Sequence, residues 1–304
     1  MFTTMSEILE LASGQNLPIS EIMLQREVEE TGRPREEIIA RMREHLATME
    51  SAAREGLQRV DRSASGLSGG DAKRLHDYYA SGRALLGPQG NLAASLALAV
   101  SETNARMGRI VATPTAGSAG ILPGVLLTLR ERLHLGTEEL LAGAFTAAAI
   151  GLVIANSATI AGASGGCQAE VGSATAMAAG AAVELAGGGR DQVCQAVALA
   201  LENVLGLVCD PVAGLVEVPC IVRNGVHAVM ALTAADMALA GIQSVIPADE
   251  VIATMNAIGN AMPRQFKETA LGGLAITPTA ICLRDRIREQ GTRQGPSDPK
   301  TGTN

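Results

Sequence analysis

Ile38-Ile39-Ala40-Arg41-Met42-Arg43-Glu44-His45-Leu46-Ala47-Thr48-Met49-Glu50-Ser51-Ala52-Ala53-Arg54-Glu55-Gly56-Leu57 decides the fold class. Ile38, Met42, Leu46, Met49, Ala53 and Leu57 recur at steps of three and four residues. That spacing draws one apolar stripe along a helix, with charged residues on the other faces. A packing face is the reading. The same periodicity returns through most of the chain, whereas alternating β-branched runs are short and rare. An all-α fold follows: one compact helical domain over 1–288, with an N-terminal helical arm at about 1–60. The segment 289–304 is polar, rich in Gly and Pro, and expected to be disordered.

Composition agrees. The chain has 304 residues and is 47% hydrophobic, enough for a sizeable core. Its apolar content is mostly Ala and other small or aliphatic residues. It has no Trp, and its aromatics are Phe2, Tyr78, Tyr79, Phe145 and Phe266. Small side chains let helix backbones approach closely. The net charge is −7, with no basic stripe interleaved with aromatics, so nucleic acid is not an expected partner. No charged-then-apolar leader opens the sequence, and no signal peptide is expected. Five cysteines fit a reduced, cytoplasmic setting better than a disulfide scaffold. The apolar window Leu140–Ile154 is short for a bilayer span and reads as a buried core helix.

Helix starts and stops are expected from local signals. Ser13-Gly14 reads as a break between two short helices. Ser20, Asp71 and Thr137 read as N-caps, and Pro34 as a first helical residue. Helices are expected over 91–107, 121–133 and 223–239, and from Pro247 toward Gly259. Gly187-Gly188-Gly189 imitates a phosphate loop but suits a plain turn. Ser63-Ala64-Ser65-Gly66-Leu67-Ser68-Gly69-Gly70 reads as an interhelix turn, with the lining of a site as the alternative. Thr113-Pro114-Thr115-Ala116-Gly117-Ser118-Ala119-Gly120 precedes a helix, a place where free backbone N–H groups can receive a carboxylate or phosphate.

The chemistry-bearing residues are thiols. Cys167, Cys209 and Cys220 each lie near Gly or Pro and near Glu170, Asp210 or Glu217. Cys194 falls on a helical stripe and reads as a core thiol, and His227 reads as a packing histidine. Soft thiolates select zinc, Cu(I) or iron–sulfur clusters. Structural zinc favours closely paired cysteines, which these are not. The wide, uneven spacing of three thiols suits a cluster with one iron lacking a protein ligand, while plain buried thiols remain the alternative.

Five stretches carry a family resemblance. They are Gly165-Gly166-Cys167-Gln168-Ala169-Glu170-Val171-Gly172-Ser173, the run from Gly206-Leu207-Val208-Cys209-Asp210-Pro211 to Glu217-Val218-Pro219-Cys220, Thr115-Ala116-Gly117-Ser118-Ala119-Gly120, Ser65-Gly66-Leu67-Ser68-Gly69-Gly70-Asp71-Ala72, and Glu268-Thr269-Ala270-Leu271-Gly272-Gly273-Leu274-Ala275. Together they resemble the α subunit of iron–sulfur-dependent L-serine dehydratase, from about Met5 to Leu283. The resemblance implies that Cys167, Cys209 and Cys220 ligate a 4Fe-4S cluster. It also implies conversion of L-serine to pyruvate and ammonia, a step of amino-acid catabolism. On the residues themselves, Thr115, Gly117, Ser118 and Gly120 are the candidates to hold the substrate carboxylate.

The proton acceptor is missing. In the resembled family a histidine of a Ser-Ser-His-Thr type motif lies in a partner domain or β subunit, and this chain has no such motif. Lys73 and Lys267 are the in-chain candidates. A β subunit and an oligomeric assembly are expected, with no membrane partner. Pyridoxal phosphate is not expected, because none of Lys73, Lys267 and Lys300 follows the Ser-x-Lys pattern. A related cysteine desulfidase is the nearer alternative, and a non-catalytic helical thiol protein the more distant one.

Overall fold

The computed structural model describes residues 2–293, with side chains through residue 290. In chain order, α1 is Met5–Gln15, α2 Ile19–Thr31, α3 Arg35–Gln58, α4 Asp71–Ala80, α5 Pro88–Ala105, α6 Ile121–Leu133 and α7 Thr137–Ser157. The short α8 is Gly162–Gly165, and a π-helical turn follows at Gln168–Gly172. Then come α9 Ser173–Leu185, α10 Arg190–Glu202, α11 Cys220–Leu239, α12 Ala248–Ala261 and α13 Pro278–Arg293. No strand occurs among the described residues; an isolated bridge joins Cys209 and Lys267. The all-α expectation therefore holds.

Helix α9 is the centre. It packs on α7, α10, α11 and α6, and every residue from Ser173 to Val183 is buried. Around it, α5 packs on α3, α6, α11 and α4. Small residues permit these approaches: a Cβ on Gly56 of α3 would fall on the carbonyl oxygen of Ala99 in α5. The stripe on α3 buries Ile38, Leu46, Met49 and Ala53, with Met42 and Leu57 half-buried. Helix α7 contains the Leu140–Ile154 window and is long and apolar enough to cross a membrane. Of its most apolar 18-residue stretch, 67% is buried inside the fold, as expected of a core helix.

Several boundaries differ from the sequence signals. Helix α1 continues through Ser13-Gly14 and ends at Asn16, which adopts φ 53°. Pro18, Pro34, Gly70 and Gly136 occupy the N-cap positions, so Ser20, Asp71 and Thr137 lie inside their helices and none is a cap. For α4 the capping function moves to a distant side chain. The buried Glu102 carboxylate of α5 accepts from the N–H groups of Gly70 (3.0 Å), Asp71 (2.6 Å) and Ala72 (3.3 Å). A negative charge at a helix N-terminus satisfies orphan donors and complements the helix dipole. Arg106, the C-cap residue of α5, pairs with the same carboxylate at 3.2 Å. Helix α13 runs past 289 to Arg293, because its helical pattern continues into the polar segment; residues 294–304 of the expected tail lie outside the described residues.

Candidate metal centre

The cysteine at 167 sits where α8 gives way to the π-helical turn. Gly166 takes φ 76° there, so the chain reverses without a Cβ penalty. Gln168 fixes the stretch in place. Its side-chain amide donates to the Met255 carbonyl at 2.9 Å and accepts from the Gly206 N–H at 2.8 Å. Its backbone N–H donates to the Leu207 carbonyl at 3.0 Å. These bonds bring the 206–209 loop alongside Cys167.

Cys209 is held by backbone on its other side. Its N–H donates to Phe266 O at 2.8 Å, and its carbonyl accepts from the Glu268 N–H at 2.9 Å. Glu268 and Ala270 both adopt left-handed backbone, at φ 60° and 54°. Cys220 is the first residue of α11.

All three thiols are buried. Ligating atoms of Cys167, Cys209 and Glu170 lie within 4.8 Å of one another. Cys220 is not one of that group of three; burial, followed by the charges of Cys167 and Glu170, pushes its thiol up to about 12. The hydrogen bond from Cys209, helped by the charge of Arg223, holds Cys167 below the ordinary thiol range. The same bond, with burial, pushes Cys209 up. Burial also raises Glu170, and the neighbouring Glu268 charge adds to it.

Two glycines keep the centre open. A Cβ on Gly162 would come to 3.2 Å from Cys209 Sγ, 3.3 Å from Glu170 Oε2 and 3.4 Å from a Glu268 carboxylate oxygen. A Cβ on Gly117 would meet Glu170 Oε1 at 2.6 Å. The Thr115–Gly120 turn therefore faces the thiols, but not as an array of free donors. Thr115 Oγ1 already binds the Glu170 carboxylate, which lies against Gly117. Ser118 is fully buried, 3.1 Å from Thr115 Oγ1, and donates to the Thr113 carbonyl at 3.2 Å. The Gly120 N–H donates to Asn224 Oδ1 at 2.9 Å, which removes Gly120 from the expected carboxylate-binding set.

The serine-rich loop belongs to this region, contrary to its reading as a plain turn. Ser63 Oγ (2.6 Å), Ser65 Oγ (2.7 Å) and Ser68 Oγ all donate to the Glu217 carboxylate, three residues before Cys220. Lys73 is paired at 2.6 Å with Asp77 on the exposed side of α4 and does not fit a catalytic base. Lys267 keeps its backbone beside Cys209 through the isolated bridge. His227 packs as expected, with Nδ1 2.8 Å from the Arg223 carbonyl oxygen. Cys194 lies apart from the centre, and burial pushes its thiol up to about 12.

Arg223 and the serine–Glu217 contact were not read from the sequence. A signal for Arg223 did exist: it is the one Lys or Arg in α11, three residues after a candidate ligand. No local signal joins residues 63–68 to 217.

Comparison with known proteins gives the chain a family. A family model described as serine dehydratase alpha chain matches residues 14–275, a span that contains all three cysteines, Glu170 and Arg223. The chain belongs to this family. A probable L-serine dehydratase alpha chain from Bacillus subtilis is 51% identical over 287 residues, covering 94% of this chain and 95% of its own length. The L-serine dehydratase alpha chain of Peptoniphilus asaccharolyticus is 40% identical over 291 residues, covering 96% and 100%. L-serine dehydratase TdcG of Escherichia coli is 47% identical over 182 residues, covering 59% of this chain and 40% of that one. These two relatives with alpha-chain names are thus matched nearly end to end, and the Escherichia coli member over less than half its length.

Proposed function

We propose that the chain is the catalytic α subunit of a cytoplasmic enzyme that converts L-serine to pyruvate and ammonia. In this reading Cys167, Cys209 and Cys220 hold a 4Fe-4S cluster. The grouping of buried Cys167 and Cys209 with Glu170, beside a space that a Gly162 Cβ would narrow, carries the proposal. The donor set is sulfur-rich and the nearby imidazole, His227, is turned to a backbone carbonyl, which suits a thiolate-bound cluster. When bound, such a group supplies an open Lewis-acid position that draws charge from a departing hydroxyl.

The chain's residues then have definite tasks. Thr115 Oγ1 holds the Glu170 carboxylate, with Ser118 beside it; serine would bind with Glu170 turned to the substrate ammonium, leaving Thr115 and the Gly117 backbone to the substrate carboxylate. Glu170 and Glu268 place negative charge where the substrate ammonium can be met. Loss of the α-proton and the hydroxyl leaves an enamine; this tautomerises to an imine, which water hydrolyses to pyruvate and ammonia. We assign the proton acceptor to a separate β subunit carrying the Ser-Ser-His-Thr type motif. The near end-to-end match to relatives named alpha chain, against the partial match to the Escherichia coli relative, supports a two-chain enzyme.

The test is pyruvate formation from L-serine by the anaerobically reconstituted chain, with and without a co-expressed β subunit. Turnover should need the partner and fall by at least about 100-fold in Cys209→Ser. Undiminished turnover in Cys209→Ser would overturn the cluster reading. Faster elimination from L-cysteine than from L-serine would overturn the substrate.

A further inference from the structure

One guanidinium touches all three ligand segments. Arg223 Nη1 donates to Cys167 Sγ at 3.2 Å and to the Val208 carbonyl, just before Cys209, at 2.9 Å. Its Nη2 donates to Asp210 Oδ1, just after Cys209, at 2.9 Å. Its own backbone lies in the first turn of α11, three residues beyond Cys220. The side chain is 15% exposed and its Asp210 partner 4%. Asp210 is anchored in turn, accepting from the Leu274 N–H at 2.8 Å.

We infer that Arg223 is the positioning residue of the metal centre: it holds the three thiol-bearing segments in register and sets a positive charge against their sulfur. This inference rests on the cluster reading above. The fork geometry matters. A guanidinium has five donors in a fixed plane and can serve a sulfur, a carbonyl and a carboxylate at once, whereas an ammonium supplies a point charge. Groups in this position orient metal ligands and tune the bound metal. Arg223 also acts as a cation on Cys167, Glu170 and Cys220 alike, where the other nearby charges are negative. Removing it would leave the Asp210 carboxylate, the Val208 carbonyl and Cys167 Sγ without the donor they share. An N–H···S bond and a nearby positive charge favour the more negative, reduced state of a cluster.

A loop-anchoring ion pair with Asp210 is the simpler alternative, and three variants separate it. Arg223→Met, Arg223→Lys and Asp210→Asn are reconstituted anaerobically with ferrous iron and sulfide beside the wild type. Iron retention is read by chelator competition, the midpoint potential by redox titration, and folding by circular dichroism. Arg223→Met should release iron at roughly tenfold lower chelator and show a more negative midpoint. Arg223→Lys should restore much of the midpoint and less of the retention. Asp210→Asn, which removes a negative charge, should not move the midpoint in the negative direction. An Arg223→Met protein that matches wild type in both readouts would overturn the inference, as would Asp210→Asn reproducing both changes in full. Should Arg223→Met lose its helical signal, Arg223→Lys decides, and wild-type retention there would also overturn it. A wild-type chain that takes up no iron would overturn the cluster reading and this inference with it.

Discussion

Ser63 Oγ donates a 2.6 Å hydrogen bond to Glu217 Oε2, joining residues 154 positions apart. With Ser65 and Ser68 on the same carboxylate, the contact ties the loop between α3 and α4 to the loop that delivers Cys220. Hydrogen bonds to a charged acceptor are each worth about 1.5–3 kcal/mol when buried. Ser63→Ala should therefore lower unfolding stability by about that amount, and Ser65→Ala, at the half-buried edge, by less. Urea denaturation measures both. Equal, negligible losses would mean that the cradle does not bear on stability.

Gly162 marks the space left at the centre. Its Cβ would fall between Cys209 and Glu170 at 3.2 and 3.3 Å, and its backbone needs no left-handed conformation. Gly162→Ala should consequently fold with near wild-type stability yet retain several-fold less reconstituted iron, because the added methyl intrudes on the ligand space and not on the core. The comparison is iron per chain set against the thermal midpoint. A variant that loses both together would point to a packing role for Gly162.

Glu102 is fully buried between Arg106 and the start of α4. Removing one partner of a buried pair strands the other charge, at a cost of about 3–5 kcal/mol. Glu102→Ala should lose stability on that scale. Chemical denaturation is the check, and a loss below about 1 kcal/mol would mark the pair as dispensable.

His227 gives a pH dependence whose sign is fixed. Burial holds its imidazole below the ordinary value, so the unfolded chain binds this proton more readily than the folded one. The neutral ring's contribution is present above the unfolded value, near 6.5, and declines as pH falls from there toward the depressed folded value. Below the folded value the decline stops. In His227→Gln, the drop in thermal midpoint between about pH 7.5 and about pH 5.5 should be smaller than in wild type. An identical drop in the two proteins would contradict the assignment.

The sequence carried the fold class because helical periodicity is a local signal. The stripe from Ile38 to Leu57 needed no knowledge of its partner, and α6 begins and ends where the pattern does. The thiols were legible for a similar reason, since each lies in an unusual local setting. Caps were misread at Ser20, Asp71 and Thr137 because a good capping side chain competes with geometry: Pro18 and Gly136 take the extended backbone at the boundary, and Glu102 caps α4 from another helix. The Thr115–Gly120 turn was read as the holder of the substrate carboxylate. Its first carboxylate is nevertheless the chain's own Glu170, and Gly120 serves Asn224. Contacts such as Ser63 to Glu217 depend on how helices pack, and no periodicity encodes them.

The central claim, that Cys167, Cys209 and Cys220 together hold an iron–sulfur cluster, is tested most directly by iron and acid-labile sulfide analysis after anaerobic reconstitution. Single serine variants of all five cysteines are compared. Wild type, Cys194→Ser and Cys282→Ser should each hold about four iron and about four sulfide per chain, while serine at 167, 209 or 220 should sharply reduce both. Full cluster content in Cys167→Ser, Cys209→Ser or Cys220→Ser would contradict the account.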